Sequence, residues 1–581
     1  MNLIGTGLLV SPRRSHSPSR LLPLTERAIS LAHHLIKKAA LVATALGVGV
    51  LAVSVTGSAS AVTTPGGAVN VASGNPIPTE NAKTGSTKWQ VPWSGYTVST
   101  DIKGGEIKGF ATKATVAAGQ TISFKVTVNK PQTFSVDIFR LGYYNGAGGR
   151  QVLHASGISG VHQPSCVNTS STGMISCSNW STSYTATVGS TWVTGIYEAV
   201  FSSAGKFQSV APFWVADYTR KSDVLFLSAF NTYEAYNNYP WDTTDPNAAT
   251  PPTGKSLYDF NSSGGVPASQ VSFDRPFSAE YGGDGLGGLG DFEPQLVQFM
   301  EKSGYDVSYL NDVSVDAVPA RFLNHRAIVI GGHSEYWSKA AYDGVVAARG
   351  KGVGLAFMSS NEIFWQIRYA NNRREIICHK NYTWDPETDP ALKTTNWRAS
   401  TNNPDPEFRF DGPNRPEQTL LGVQLPMFGW KNWGGAPFTV KGTTSTEGKW
   451  VYAGTGLTDG RKITGTSGSV TPHIVGYEMD NYDPHYPKPP GTNFTILAAS
   501  KFTNYNGQVF THNSTIYKST AGNYVWATGS MSWSWGLVHG SVWGETDLNP
   551  EGSDPADNYA PATAVITKNV LNKEITLAPA P

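Results

Sequence analysis

The stretch Ala327-Ile-Val-Ile-Gly-Gly-His-Ser-Glu-Tyr-Trp337 decides how this chain reads. Its first four residues form an apolar run of the length and composition of a fully buried strand. Two glycines end the run, and His333, Glu335, Tyr336 and Trp337 follow together. Residues 339–349 carry a helix-like pattern, and residues 353–358 form a second buried run ending in Ser359-Ser-Asn-Glu-Ile-Phe-Trp365. This β-α-β order predicts a parallel sheet. In such sheets the working residues lie just past the carboxyl ends of strands, where His333 and Glu335 stand.

Working outward, residues 224–227 read as another buried strand, followed by the aromatic segment Ser228-Ala-Phe-Asn-Thr-Tyr-Glu-Ala-Tyr-Asn-Asn-Tyr-Pro-Trp241. A helix over 293–303 and a strand over 307–310 continue the alternation. The expectation for residues 221–581 is a doubly wound α/β domain with β-rich insertions after Arg368. A final helix over 561–572 places Val565, Ile566, Val570 and Leu571 mostly on one face, to pack back on the core.

Upstream, residues 89–217 change character. Thr121-Ile-Ser-Phe-Lys-Val-Thr-Val128 alternates cleanly, and so does Phe134-Ser-Val-Asp-Ile-Phe139. Several short strands with turns between them predict a β-sandwich, so the chain reads as multidomain, α/β plus all-β. The loop Leu141-Gly-Tyr-Tyr-Asn-Gly-Ala-Gly-Gly-Arg150 is read as a structural hairpin, with sugar binding as the alternative. It lacks the Lys-Ser/Thr ending of a phosphate loop. Residues 62–88, rich in Gly, Pro, Asn, Ser and Thr, read as a flexible linker.

The 581 residues carry 44 basic and 43 acidic side chains, with no basic run in the body of the chain, which argues against a nucleic-acid partner. The wealth of Trp, Tyr and Gly fits a loop-rich extracellular protein. Near the N-terminus, Arg13, Arg14, Arg20, Arg27, Lys37 and Lys38 precede an apolar run over 39–55 and the small residues Ala59-Ser60-Ala61. Positive flank, apolar core and A-x-A site predict a secretory signal peptide over 1–61, cleaved after Ala61, and hence a secreted protein with no membrane span; a single membrane anchor is the alternative. Export permits a disulfide between Cys166 and Cys177. Cys378 is open between a catalytic thiol and a buried inert cysteine, the commoner case.

If the sheet is parallel, three strand ends converge, bringing Tyr233 and Tyr236, His333 with Glu335, and Asn361 with Glu362. In an extended segment a His-x-Glu pair points both side chains to one side, an arrangement usable for metal binding or acid–base work. No Gly-x-Ser-x-Gly, His-Glu-x-x-His or paired Cys-x-x-Cys occurs. What remains is an oxygen-rich set with one His, which suits a hard cation such as Fe³⁺ better than a soft one.

At these residues the sequence resembles the N,N-dimethylformamidase large (β) subunit family. The markers are Arg140-Leu-Gly-Tyr-Tyr144, Tyr233-Glu-Ala-Tyr-Asn237, Ser272-Phe-Asp-Arg-Pro276, Gly332-His-Ser-Glu-Tyr-Trp337, Asn361-Glu-Ile-Phe-Trp365 and Trp533-Ser-Trp-Gly536. The resemblance implies a glutamine-amidotransferase-like α/β fold. It also implies one iron held by two tyrosines and a glutamate, here Tyr236, Tyr258 and Glu335. His333, Asn361, Lys380 and Glu478 fall on the family's other site positions. A different registration places the second tyrosine at Phe277, with Tyr281 as substitute. The family enzyme works with a small partner subunit, of which this chain shows no trace. The function these readings imply is an exported hydrolase of a C–N amide-type bond acting on a small-molecule amide. The alternative is a non-catalytic cell-surface or carbohydrate-binding protein on a retired enzyme fold, with a glycan as partner. A metal-free hydrolase using Glu335 and Glu478 is a third reading. A homo-oligomer is compatible with all of them.

Overall fold

A seven-stranded sheet carries the site. In this computed structural model the described residues are 74–101, 106–241, 253–278, 286–380, 396–426, 436–465, 474–476, 478–503, 507–539 and 559–581. They belong to one compact unit. The expected signal peptide, the first half of the expected linker and Tyr281 lie outside the described residues.

The sheet is built from β1 (Val224–Ser228), β2 (Val307–Asn311), β3 (Ala327–Ile330), β4 (Gly354–Phe357), β5 (Gly491–Thr503), β6 (Val509–Ser519) and β7 (Tyr524–Ala527). Its order is β2-β1-β3-β4-β7-β6-β5. The first five strands in that order are parallel, and β6 and β5 join antiparallel. The expected parallel sheet is therefore the larger part of a mixed one. Every residue of β1 to β4 is buried, as continuous Val/Ile/Leu/Phe runs require when both faces are covered. Among the helices are α1 (Phe230–Tyr236), α2 (Leu286–Lys302), α3 (Lys339–Gly350) and α4 (Pro561–Leu577). Ser338 caps α3 by accepting from the Ala341 N–H at 3.2 Å. α4 runs past residue 572, and it buries Ile566, Val570, Leu571 and Glu574. The strand order reverses between β1 and β3, and open α/β sheets hold ligands at such a switch point.

Residues 97–216 form two facing sheets around one core that includes Phe124, Val126, Val136, Ile138, Phe201 and Phe213. The strand Thr121–Val128 alternates buried with less buried positions along its whole length, as its sequence predicts. Residues 141–149 close a hairpin, with Leu141 paired to Gly149. Cys166 and Cys177 are joined in a disulfide, and Cys378 is buried.

The second half of the expected linker is not loose. Ile77–Asn81 is a helical turn whose Glu80 and Asn81 are buried. Asn81 donates to Glu301 at 2.9 Å and accepts from the Tyr143 and Tyr144 amides, while Tyr144 and Arg150 both donate to Glu80. Composition marked this segment as linker, but its polar side chains answer buried partners elsewhere.

The sandwich is tied to the sheet by Arg140, which reaches Glu301 of α2 at 2.6 Å with both side chains fully buried. Tyr309 of β2 also donates to Glu301, at 2.8 Å, and Trp214 of the sandwich donates to Ser228 of β1 at 2.9 Å. Breaking a buried pair from one side strands a charge, at a cost of about 3–5 kcal/mol. Glu301→Ala is expected to lose stability of that order. The double variant Arg140→Met/Glu301→Met, with no stranded charge, should recover much of it. Urea denaturation of both variants checks the difference.

Candidate functional site

Three loops leave the carboxyl ends of β1, β3 and β4 and meet at the switch point. Gly332 makes the turn after β3. It sits at φ +72, and an added Cβ would collide with the Tyr233 hydroxyl and approach Glu293 Oε1 to 3.0 Å. Only glycine fits there without strain. The turn delivers His333 and Glu335, 6% and 1% exposed. The Glu335 backbone is held by its N–H on Thr232 Oγ1 at 3.0 Å, and its carbonyl accepts from Phe364 and Trp365 at 2.9 Å.

The Glu335 carboxylate is the centre of the cluster. Tyr258 donates to Oε1 and Oε2 at 2.9 and 2.8 Å, and Tyr236 to Oε2 at 3.2 Å. The two rings lie 4.3 Å apart by centroid. Tyr336 donates to the Tyr258 oxygen at 2.6 Å. The Lys380 ammonium, 1% exposed, stands 3.5 Å from the Tyr258 ring centroid and 4.9 Å from that of Trp365.

His333 forms the second half. Its Nε2 lies 3.0 Å from Glu478 Oε2 and 3.6 Å from Glu335 Oε2, with Asn361 Nδ2 at 3.3 Å. Asn361 has φ 51 and Ile363 φ 58, a strained pair flanking the β4 turn. The turn is pinned by the Asn361 N–H donating to Asp480 Oδ1 at 2.9 Å and the Ile363 N–H to Ser334 O at 2.8 Å.

Burial dominates the electrostatics. It pushes the Glu335 carboxyl up, against the pull of His333 and Lys380. Burial, then the Glu335 charge beside it, pushes the Tyr258 phenol well above its ordinary range, and the same causes act on Tyr336. Tyr258 therefore keeps its proton and donates to Glu335, and Tyr336 keeps its own and donates to Tyr258; a cation among these oxygens would reverse that preference. Burial opposes the charged form of His333, but Glu478, with Glu335 and Asp480, outweighs it and raises the imidazole. Asp480 is pushed up to about 7 by burial, its acceptance from Asn361 notwithstanding.

All seven site residues expected from the sequence stand in this cluster: Tyr236, Tyr258, Glu335, His333, Glu478, Asn361 and Lys380. The alternative registration fares differently: Phe277 packs against Phe230, 6.4 Å between centroids. Tyr233, expected at the cluster, turns away to Glu293. Glu362, also expected there, is buried, and among the described residues neither of its carboxylate oxygens is hydrogen-bonded. Sequence reasoning missed Tyr336, Trp365 and Asp480 as site residues. Tyr336 and Trp365 lie inside the quoted stretches, and Asp480 two residues beyond Glu478, but nothing local shows which side chains face the cluster. Among the described residues no group of three or more His, Cys, Asp and Glu side chains suits a metal. The Tyr236 and Tyr258 phenols converge on the Glu335 carboxylate, so these three side chains could hold a cation.

This is a buried acid–base and oxygen-donor site at the switch point of an α/β sheet. Residues 135–546 match the family described as N,N-dimethylformamidase beta subunit-like, C-terminal, and the chain belongs to that family. Two curated relatives are N,N-dimethylformamidase beta subunits. One, from an Alcaligenes species, is 25% identical over 313 residues, and the other, from Paracoccus aminophilus, 25% identical over 314. Each match covers 49% of this chain and 37% of the relative, so the chain spans little more than a third of these relatives. Solved structures give only loose likenesses, such as a Pseudomonas fluorescens alkylpurine DNA glycosylase at 16% identity and TM-score 0.13, over 20% of this chain and 32% of that one.

The His333 shift has a single leading source and is testable. Glu478→Gln removes the nearest charge and leaves burial in place, so the imidazole pKa should fall in an NMR titration; an unchanged value would clear Glu478 of the role. Because the folded pKa lies above the ordinary one, the His333–Glu478 pair stabilises fully below pH about 6.5, and that stability is lost as pH rises through the folded value. The glutamine variant should flatten that part of the pH–stability curve.

Proposed function

We propose that this chain is a hydrolase of amide-type C–N bonds and that the Glu335 cluster is its reaction centre. The observation that carries the reading is a buried carboxylate receiving two phenols and bordered by a His333–Glu478 pair, in a member of the N,N-dimethylformamidase beta subunit-like family. The sheet order, with its switch point beside the cluster, supports the glutamine-amidotransferase-like version of the fold. The disulfide Cys166–Cys177 supports export, since such bonds persist in oxidising compartments. Among the described residues no helix is long and apolar enough to cross a membrane.

The donor set fits a mononuclear Fe³⁺ held by Tyr236, Tyr258 and Glu335: the oxygens are hard, they converge on one carboxylate, and burial keeps that carboxylate from solvent. Bound there, iron would polarise an amide carbonyl or acidify a water molecule. The chain's own groups do the rest. Glu478 and His333 share a proton at Nε2, the natural store from which the departing amine nitrogen takes its proton as the C–N bond breaks. Asn361 Nδ2 and the Lys380 ammonium present positive character to the oxygen that gains charge when water adds to the carbonyl. Burial keeps bulk water from competing for these groups.

The purified chain should hold about one iron and show a tyrosinate-to-iron charge-transfer band in the visible. Glu335→Ala should lose iron and amide turnover together; iron retained in that variant would overturn the assignment. Asn361→Ala or Lys380→Met should keep iron and lose roughly 10²–10³-fold in kcat on a linear amide. Absence of iron after anaerobic reconstitution, with no amide cleaved, would favour the non-catalytic binding protein.

A further inference from the structure

A cavity of about 570 Å³ lies apart from the Glu335 cluster, between α3, the 400–404 loop, residues 414–420 and residues 485–487. Its volume falls in the ~300–1,000 Å³ range of small-molecule sites. None of Tyr236, Tyr258, His333, Glu335 or Glu478 lines it. Its lining holds three guanidinium groups, Arg349, Arg398 and Arg415, the His485 imidazole, and no carboxylate.

The three arginines differ in how they are held. Arg398 is buried in its ion pair with Glu417, and Arg415 reaches Asp343 at 2.6 Å while lying 3.9 Å over the Tyr342 ring. Arg349 makes no ion pair among the described residues. Its Nη1 donates to the Thr419 carbonyl at 3.1 Å and the Tyr517 hydroxyl at 3.0 Å, which fixes the plane of the guanidinium but leaves its charge uncancelled. A fixed, half-buried guanidinium with donors to spare is a carboxylate receptor. The lining also carries uncharged hydrogen-bonding groups. Thr401, Asn402 and Asn414 are exposed, and among the described residues their side chains hydrogen-bond to nothing. Asn amides and hydroxyls pair with hydroxyl groups in either sense, donor or acceptor.

We propose that this cavity is a second ligand site that takes a polyhydroxylated carboxylate, a sugar acid by chemical class. The carboxylate pairs with Arg349 and Arg415, and the hydroxyls with Thr401, Asn402 and Asn414. The site does not depend on the chemistry assigned to the Glu335 cluster.

Isothermal titration of the full chain with D-glucuronate tests it, with D-glucose as the neutral match and inorganic phosphate as the anion without hydroxyls on carbon. Saturable one-to-one binding of glucuronate is expected, about tenfold or more tighter than either control, since it alone has both recognised features. Arg349→Ala should weaken it at least about tenfold. Because Arg349 also braces Thr419 and Tyr517, Asn402→Asp serves as a second variant; it places a negative charge on the exposed rim without touching a packed group, and should weaken glucuronate while leaving the melting temperature unchanged. Glucose binding as tightly as glucuronate, phosphate binding as tightly, full affinity in Asn402→Asp, or no saturable binding would each overturn the proposal.

Discussion

A carboxylate 1% exposed at the end of a parallel strand must find donors inside the protein, and Glu335 sets that demand for its whole surroundings. Two phenols answer it, one from the end of α1 and one from the loop after it, a lysine lies beneath one ring, and an imidazole borders the carboxylate. Of these partners His333 alone is a sequence neighbour of Glu335. The loop carrying Tyr258 has to be anchored to bring its hydroxyl there. Ser256 and Ser262 provide the anchor, Ser256 donating to the Tyr258 carbonyl at 3.3 Å and Ser262 at 2.6 Å.

The strands of the sheet were legible because both of their faces are buried, which leaves continuous apolar runs that only a covered sheet explains. The strand Thr121–Val128 was legible for the opposite reason, since one face is less covered and the alternation shows. Elements fixed by distant partners were not legible. Tyr336–Ser338 is a short strand pairing with Trp365–Ala370, yet it reads as the entry to a helix. The turn Ile77–Asn81 is ordered by Tyr143, Tyr144 and Glu301, none of which its own composition reveals. Tyr236, His333, Glu335 and Asn361 were legible from the converging strand ends and Tyr258, Lys380 and Glu478 from the family resemblance, whereas the places of Asp480, Tyr336 and Trp365 depend on facing directions that spacing alone does not encode.

The sandwich is more than an appendage. Thr194 and Thr115 bond to Tyr309 and Asn311 of β2, and Arg140 meets Glu301 on α2, so the edge of the sheet next to the switch point is covered by the sandwich. An exposed parallel edge is a liability that natural proteins cover. Here the covering module also places Trp214 on Ser228, the last residue of β1, from which the segment holding Tyr236 departs. Sandwich and site thus share a strand.

The turn after β4 shows how tightly the three loops are joined. A β-branched residue at positive φ is a conformation of about 1–3 kcal/mol or more in strain, and Ile363 adopts it two residues after Asn361 also takes a positive φ. Such strain persists only where neighbours over-determine it. The Ile363 N–H is taken by Ser334, next to Glu335 in sequence, and the Asn361 N–H by Asp480, two residues from Glu478. The backbone that presents Asn361 to His333 is therefore held by the segments that present Glu335 and Glu478. Moving this turn would break the Ile363 N–H bond to the Ser334 carbonyl and the Asn361 N–H bond to the Asp480 carboxylate. The precision of the site resides in those bonds between loops, and they hold whether or not a cation lies among the oxygens.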